Sequence, residues 1–213
     1  FSYRPPAHAT LIETLLRRLG LTNITLVLHD WGGPIGLSYA LRHPDTVRRL
    51  VLMNTWAWPL THRPRIQAAS RLLATPIGRL AVERVNAFAH LVMPATTGPG
   101  RPLYPDWTRP YAAALNTRPR RHACWAFARA LHTETQWLRS LWTHRDRIRN
   151  RPAFLCWGMA DPAFGREDCL RRWQRLFPAA TIRRCADVGH YVPEEMGPAL
   201  AAPVRQFLNA TTA

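Results

Sequence analysis

An apolar run, Ile24 to Leu28, is followed by His29, one acid and two glycines within five residues, and a helical pattern begins at once. No other stretch constrains the fold of this chain so tightly. A short aliphatic run of this kind reads as a strand buried in a parallel sheet. Asp30 stands where the strand should end, and a helix-like segment runs from Gly33 to Arg42. Strand, sharp turn and helix in such close succession lift one side chain clear of the sheet. They also leave backbone N–H groups of a helix N-terminus facing it. Gly32 and Gly33 suit a turn that has no room for a Cβ. Pro34 is tolerated because first-turn N–H groups have no helical partner.

Asp30 has two readings. It is a good helix N-cap. It is also an exposed carboxylate, already charged at neutral pH and favoured as an anion by the helix N-terminus. A carboxylate that attacks carbon forms an ester, which must then be hydrolysed. The string His29-Asp30-Trp31-Gly32-Gly33-Pro34-Ile35-Gly36 after an apolar strand favours the second reading. It resembles the nucleophile elbow of the haloalkane dehalogenases and, less closely, of the epoxide hydrolases, within the α/β-hydrolase superfamily. The resemblance continues through Val47–Pro59 and Trp157–Gly165 and reaches Gly189–Glu195. It implies an α/β-hydrolase fold: a mostly parallel sheet flanked by helices, with a helical cap inserted after the second strand of this chain. Residues 1–59 and 151–213 would form the core and 60–150 the cap.

The remaining elements follow from periodicity. Leu11, Ile12, Leu15, Leu16 and Leu19 predict a helix over 8–19, stopped by Gly20. Val47–Met53, Ala153–Trp157 and Thr181–Cys185 read as further strands. Helices are expected at about 64–74, 77–92, 119–131, 133–148 and 167–177, with a loop over Pro94–Pro105. A last helix, about 196–209, would be kinked by Pro203. In the resembled family four strands and a His-Gly-x-Pro loop precede the Ile24–Leu28 strand, and this sequence shows neither. That strand would therefore be an uncovered apolar edge, and the chain by itself is expected to be poorly stable.

Three residues are matched to a catalytic triad by the resemblance: Asp30 as nucleophile, Asp161 in Trp157-Gly158-Met159-Ala160-Asp161-Pro162 as the acid, and His190 in Gly189-His190 as the base. A turn-forming Asp before Pro is the plainer reading of Asp161. Asp187 is a rival acid by proximity. Asn54 stands where one dehalogenase subfamily carries the acid. The resemblance implies that the Trp31 indole N–H holds the leaving halide, since it donates and has no acceptor to repel an anion. The Trp31 backbone N–H would be one oxyanion donor. His29 reads as packing, turned away from the elbow by strand alternation. Glu194 and Glu195 read as capping or solvating the final helix. Trp107, Trp125, Trp137 and Trp142 read as packing of the cap, any one of which would serve as a second halide donor. Tyr104 and Tyr111 matter to the epoxide reading, because cap tyrosines of epoxide hydrolases protonate the epoxide oxygen.

The net charge of +16 raises the question of nucleic acid. All 29 basic residues are Arg, scattered as singles and pairs, which fits a GC-rich coding bias better than a selected basic face. Specific nucleic-acid binding is not expected. Cys124, Cys156, Cys169 and Cys185 lack metal-binding spacing and read as reduced, which suits a cytoplasm. No apolar run is long enough to span a membrane. The expected partner is a small apolar halogenated substrate, with no metal or organic cofactor, no membrane and no specific nucleic acid; a homo-oligomer is left open. Epoxide hydrolysis and a catalytically silent truncated hydrolase stay open beside dehalogenation. Leu28 favours the dehalogenase, because epoxide hydrolases more often show Gly-x-Asp-x-Gly at the elbow.

Overall fold

The computed structural model describes residues 1–99 and 105–211. Four strands form one parallel sheet in the order β1 (Ile24–His29), β2 (Val47–Met53), β3 (Ala153–Gly158) and β4 (Thr181–Cys185). Leu28 lies opposite Leu52, and Leu52 opposite Leu155. The two middle strands are nearly all buried, as their unbroken apolar runs require. β1 lies at one edge of this sheet, and Val27 upon it is 55% exposed. The helix before it, α1 (Pro5–Arg18), exposes Leu11 and Leu15.

α1 starts earlier than its apolar periodicity suggests because Pro5 and Pro6 occupy its first turn. After the elbow, α2 (Gly32–Arg42) lies against β1 so closely that a Cβ on Gly36 would come within 2.4 Å of the Leu28 side chain. Every element described between β2 and β3 is helical. The chain forms α3 (Pro64–Ala74), α4 (Pro76–Val85), α5 (Met93–Thr96), α6 (Pro105–Ala114), α7 (Arg118–Thr133) and α8 (Thr135–Thr143). The helix expected over 77–92 is broken. Asn86 takes the left-handed conformation at φ 54° and ends α4, and one wide turn, Phe88–Val92, leads into α5. α5 occupies the start of the expected Pro94–Pro105 loop. α6 carries Pro110 in its interior, which hides it from a reading that treats proline as a breaker.

α9 (Glu167–Leu176) precedes β4. Beyond β4 lie α10 (Val192–Met196) and α11 (Ala201–Ala210). The single kinked helix expected over 196–209 does not form. Gly197 at φ 50° closes α10. Pro203 falls in the first turn of α11, where its missing N–H has no helical partner, so no kink results.

One core joins the helical insertion to the sheet. Ala130, Leu138 and Leu141 of the insertion pack with Leu37, Leu52, Trp58 and Trp157. Glu134, 4% exposed, receives two N–H bonds from Arg4 at 2.7 and 3.0 Å. Among the described residues no helix is long and apolar enough to cross a membrane.

Candidate active site

Three loops at the carboxyl ends of β1, β3 and β4 converge, the edge at which open α/β sheets gather their sites. Asp30 ends β1 in the left-handed region, φ 47°. A non-glycine residue there carries strain. The turn is held from both sides: Gly33 N–H donates to the Asp30 carbonyl at 2.9 Å, and Thr55 Oγ1 donates to the same oxygen at 2.6 Å. Gly33 is obligatory, since a Cβ would sit 1.7 Å from Thr55 Oγ1. Gly32 is different. Nothing lies within 4 Å of its would-be Cβ, so the expectation that both glycines make room is met by Gly33 alone.

His190 follows β4. Its Nε2 faces the Asp30 carboxylate at 3.5 Å, and its Nδ1 donates to Asp161 Oδ2 at 2.8 Å. The sequence-matched residues Asp30, Asp161 and His190 are thus within reach of one another. Asp187, the rival acid, is exposed. Burial disfavours the His190 imidazolium, but its hydrogen bond to Asp161 and the charges of Asp30, Asp161 and Glu195 outweigh burial and raise its pKa to about 9. Burial also opposes charge on Asp161, 3% exposed, yet the bonds with His190 and Asn54 and the N–H groups of the turn lower its pKa below the usual value. Ala163 N–H donates to Asp161 Oδ1 at 2.7 Å.

Asn54 has a part that sequence reasoning did not give it. Its Nδ2 donates to Asp161 Oδ2 at 2.8 Å and to the Gly158 carbonyl at 2.9 Å, and its Oδ1 accepts Gly158 N–H at 2.7 Å. It holds the acid instead of replacing it.

Trp31 is 7% exposed, its ring against Trp56 (4.8 Å between centroids) and Phe127 of the insertion (5.9 Å). Phe164 stacks on Trp56 at 4.4 Å and lies 6.0 Å from the His190 ring. The surroundings of Asp30 and His190 are therefore aromatic and apolar.

Other residues fall outside that cluster. Trp125 donates its indole N–H to the Leu73 carbonyl, so that hydrogen is engaged in the insertion. Trp142 packs against Trp58 and Trp173, and Trp137 joins the main core. Tyr111 donates its hydroxyl to Glu194. Tyr104 and the side chain of Trp107 lie outside the described residues.

His29 and Glu195 need correction. His29 does more than pack: its Nε2 lies 2.7 Å from the His190 carbonyl oxygen, and as a carbonyl only accepts, Nε2 carries the proton. Burial, and next the charge of His190, lower the pKa of His29, which favours that neutral form. Glu195 does not cap a helix into solvent. It is 8% exposed and accepts three backbone N–H groups. No signal in a single sequence distinguishes a buried Glu195 from its exposed neighbour Glu194.

Four features meet here: a parallel sheet, an acid on a strained strand-to-helix turn, a histidine after the last strand and an acid after the strand before it. A family model described as the alpha/beta hydrolase fold matches residues 1–195, and the chain belongs to that family. Among curated proteins it is 29% identical over 208 residues to a cis-3-alkyl-4-alkyloxetan-2-one decarboxylase of Shewanella oneidensis, covering 94% of this chain and 64% of that protein. It is also 29% identical over 204 residues to haloalkane dehalogenase 2 of Mycobacterium tuberculosis, covering 96% of this chain and 71% of that protein. The chain thus spans about two thirds of the length of these relatives. Among solved structures, haloalkane dehalogenase DbeA from Bradyrhizobium elkani superposes with a TM-score of 0.86 at 23% identity, over 99% of this chain and 75% of that one. At that identity the likeness speaks for the fold.

Proposed function

We propose that this chain carries the catalytic apparatus of a haloalkane dehalogenase. The observation behind this reading is the strained Asp30 facing His190 Nε2 at 3.5 Å, with His190 Nδ1 bonded to Asp161. A serine would need its proton removed before attack, whereas a carboxylate does not. Asp30 attacks the sp³ carbon that bears the halogen, the carbon–halogen bond breaks, and the halide leaves with the bonding pair. The Trp31 indole N–H steadies the halide. Alkylation removes the negative charge of Asp30. One of the charges that raise the pKa of His190 is thereby lost, so the imidazole can shed its proton and act as base. It takes a proton from water, hydroxide attacks the ester carbonyl, and the alcohol departs. The Trp31 backbone N–H donates to the developing oxyanion; loss of one such donor costs roughly 3–4 kcal/mol. Residues 60–150 act as the cap that excludes water from this pocket.

A second reading rests on the Shewanella relative, which is as similar as the dehalogenase: the same carboxylate would attack the ring carbon that bears the lactone oxygen, breaking that C–O bond and freeing a carboxylate, which leaves as carbon dioxide while an alkene forms and the Asp30 ester bond breaks to restore the acid. The epoxide reading is weakened because the Tyr111 hydroxyl proton is engaged by Glu194.

The test is the intact mass of a folded His190→Ala variant after exposure to a long bromoalkane. Without the base the ester should form and persist, adding the mass of the alkyl group, and Asp30→Asn should abolish the gain. A folded His190→Ala sample with no adduct would overturn the dehalogenase reading. A cis-dialkyl oxetanone, followed by carbon dioxide release, tests the second.

A further inference from the structure

The backbone of residues 189–191, which carries the base, is held through several of its polar groups. Gly189 N–H donates to Glu195 Oε2 at 2.8 Å, and Tyr191 N–H to Glu195 Oε1 at 3.0 Å. His190 N–H donates to the Thr96 carbonyl at 2.8 Å, and the His190 carbonyl accepts from His29 and, at 3.0 Å, from Val192 N–H. The same Glu195 Oε2 also accepts Gly98 N–H at 3.0 Å. One buried carboxylate therefore bridges two segments far apart in sequence: the histidine loop, and residues 96–98 of the insertion, at the end of α5.

The two segments touch through their backbones. A Cβ on Gly189 would lie 2.3 Å from Gly98 N and 2.5 Å from the Thr96 carbonyl oxygen. A Cβ on Gly98 would lie 2.1 Å from the Asp187 carbonyl oxygen and 2.8 Å from Gly189 N. Two glycines thus allow an approach that side chains would prevent. Strong acceptance by a carboxylate then satisfies N–H groups that the contact shuts off from water.

We infer that Glu195 is a positioning residue that locks the His190 loop to the 96–98 segment of the insertion, so that the base is in register only while that segment is seated. The inference rests on the proposed two-step reaction. It assigns Glu195 to the second step alone, since alkylation of Asp30 needs no base and ester hydrolysis does.

The experiment compares wild type, Glu195→Gln and His190→Ala in the full chain, with 1-bromohexane, rapid quenching and intact mass. Amide hydrogen exchange is followed in parallel. Gln keeps the volume of Glu but replaces one acceptor oxygen by an amino group that faces N–H donors. The Gln variant should alkylate within about twofold of wild type and lose its ester about ten- to a hundredfold more slowly. Protection should fall together at Gly98, Gly189 and Tyr191. Wild-type ester hydrolysis in the Gln variant, equal slowing of both steps, or loss of protection confined to one segment would each overturn the inference. If folded His190→Ala forms no ester, the functional reading has failed instead, and the exchange pattern alone decides whether Glu195 joins the two segments. If the Gln variant does not fold, Glu195→Asp is read by the same criteria: a carboxylate one methylene shorter should slow hydrolysis while sparing alkylation.

Discussion

Asn54 Nδ2 and His190 Nδ1 both donate to a single oxygen, Oδ2 of Asp161, each at 2.8 Å. Asp161 is thus gripped from just beyond β2 and from the loop after β4 at once. Asn54→Ala should release that grip and leave the buried N–H and carbonyl of Gly158 without partners. A loss of about 2–3 kcal/mol is expected from such unpaired groups. The urea midpoint measures it. A midpoint unchanged from wild type would show that the Asn54 bonds add nothing to stability.

The backbone of Asp30 can be separated from its chemistry. Asn tolerates the left-handed region, whereas a β-branched residue does not. Asp30→Asn and Asp30→Val remove the same charge, so their difference in stability isolates the turn. Val should be less stable than Asn by about 1–3 kcal/mol. Equal thermal midpoints would mean that the turn imposes no conformational demand.

The neighbouring glycines should respond in opposite ways. Gly33→Ala drives a methyl group into Thr55 Oγ1 and should cost about 1–3 kcal/mol by overpacking. Gly32→Ala meets nothing and should stay within about 0.5 kcal/mol of wild type. The Gly33 penalty should shrink when Thr55→Ala is added, a coupling that a double-mutant cycle reads directly. Strict additivity of the two changes would place the clash elsewhere.

Protonation of His190 links the site to pH. Its folded pKa, about 9, lies above the ordinary 6.5. The resulting stabilisation is therefore complete below about pH 6.5 and is lost as pH rises through about 9. Asp30→Asn removes one of the charges responsible, so the His190 midpoint should move down. Titration of the His190 ring resonances by NMR checks the direction; a midpoint that stays or rises would contradict the charge pairing.

Much of this was legible in the residues, for physical reasons. Val47–Met53 and Thr181–Cys185 stand between turn-forming neighbours, and their observed bounds are those of the runs themselves. The elbow was legible because an apolar strand, one acid, two glycines and a helical pattern follow one another within a few residues and resemble a known string. α6 was hidden by its own Pro110, and the break after α4 depends on Asn86 taking a conformation that its type permits but does not demand. The roles of Asn54 and Glu195 were closed to local reasoning. Asn54 acts on Asp161, and Glu195, besides its near neighbours Gly189 and Tyr191, on Gly98, both about a hundred residues away along the chain, and only the folded chain brings them together.

The loop after β3 is bonded to the loop after β4 as well as to the acid's neighbours. Met159 N–H donates to the Cys185 carbonyl and Ala160 N–H to the Val188 carbonyl, both at 2.9 Å. The loops that carry Asp161 and His190 are therefore joined directly, and His29, the β1 residue before Asp30, ties the His190 carbonyl to the far strand of the sheet. The 3.5 Å separation of His190 from Asp30 is thus set by contacts among three strand ends. A substitution that shifts β1 against β3 would alter that separation without changing Asp30, Asp161 or His190 themselves.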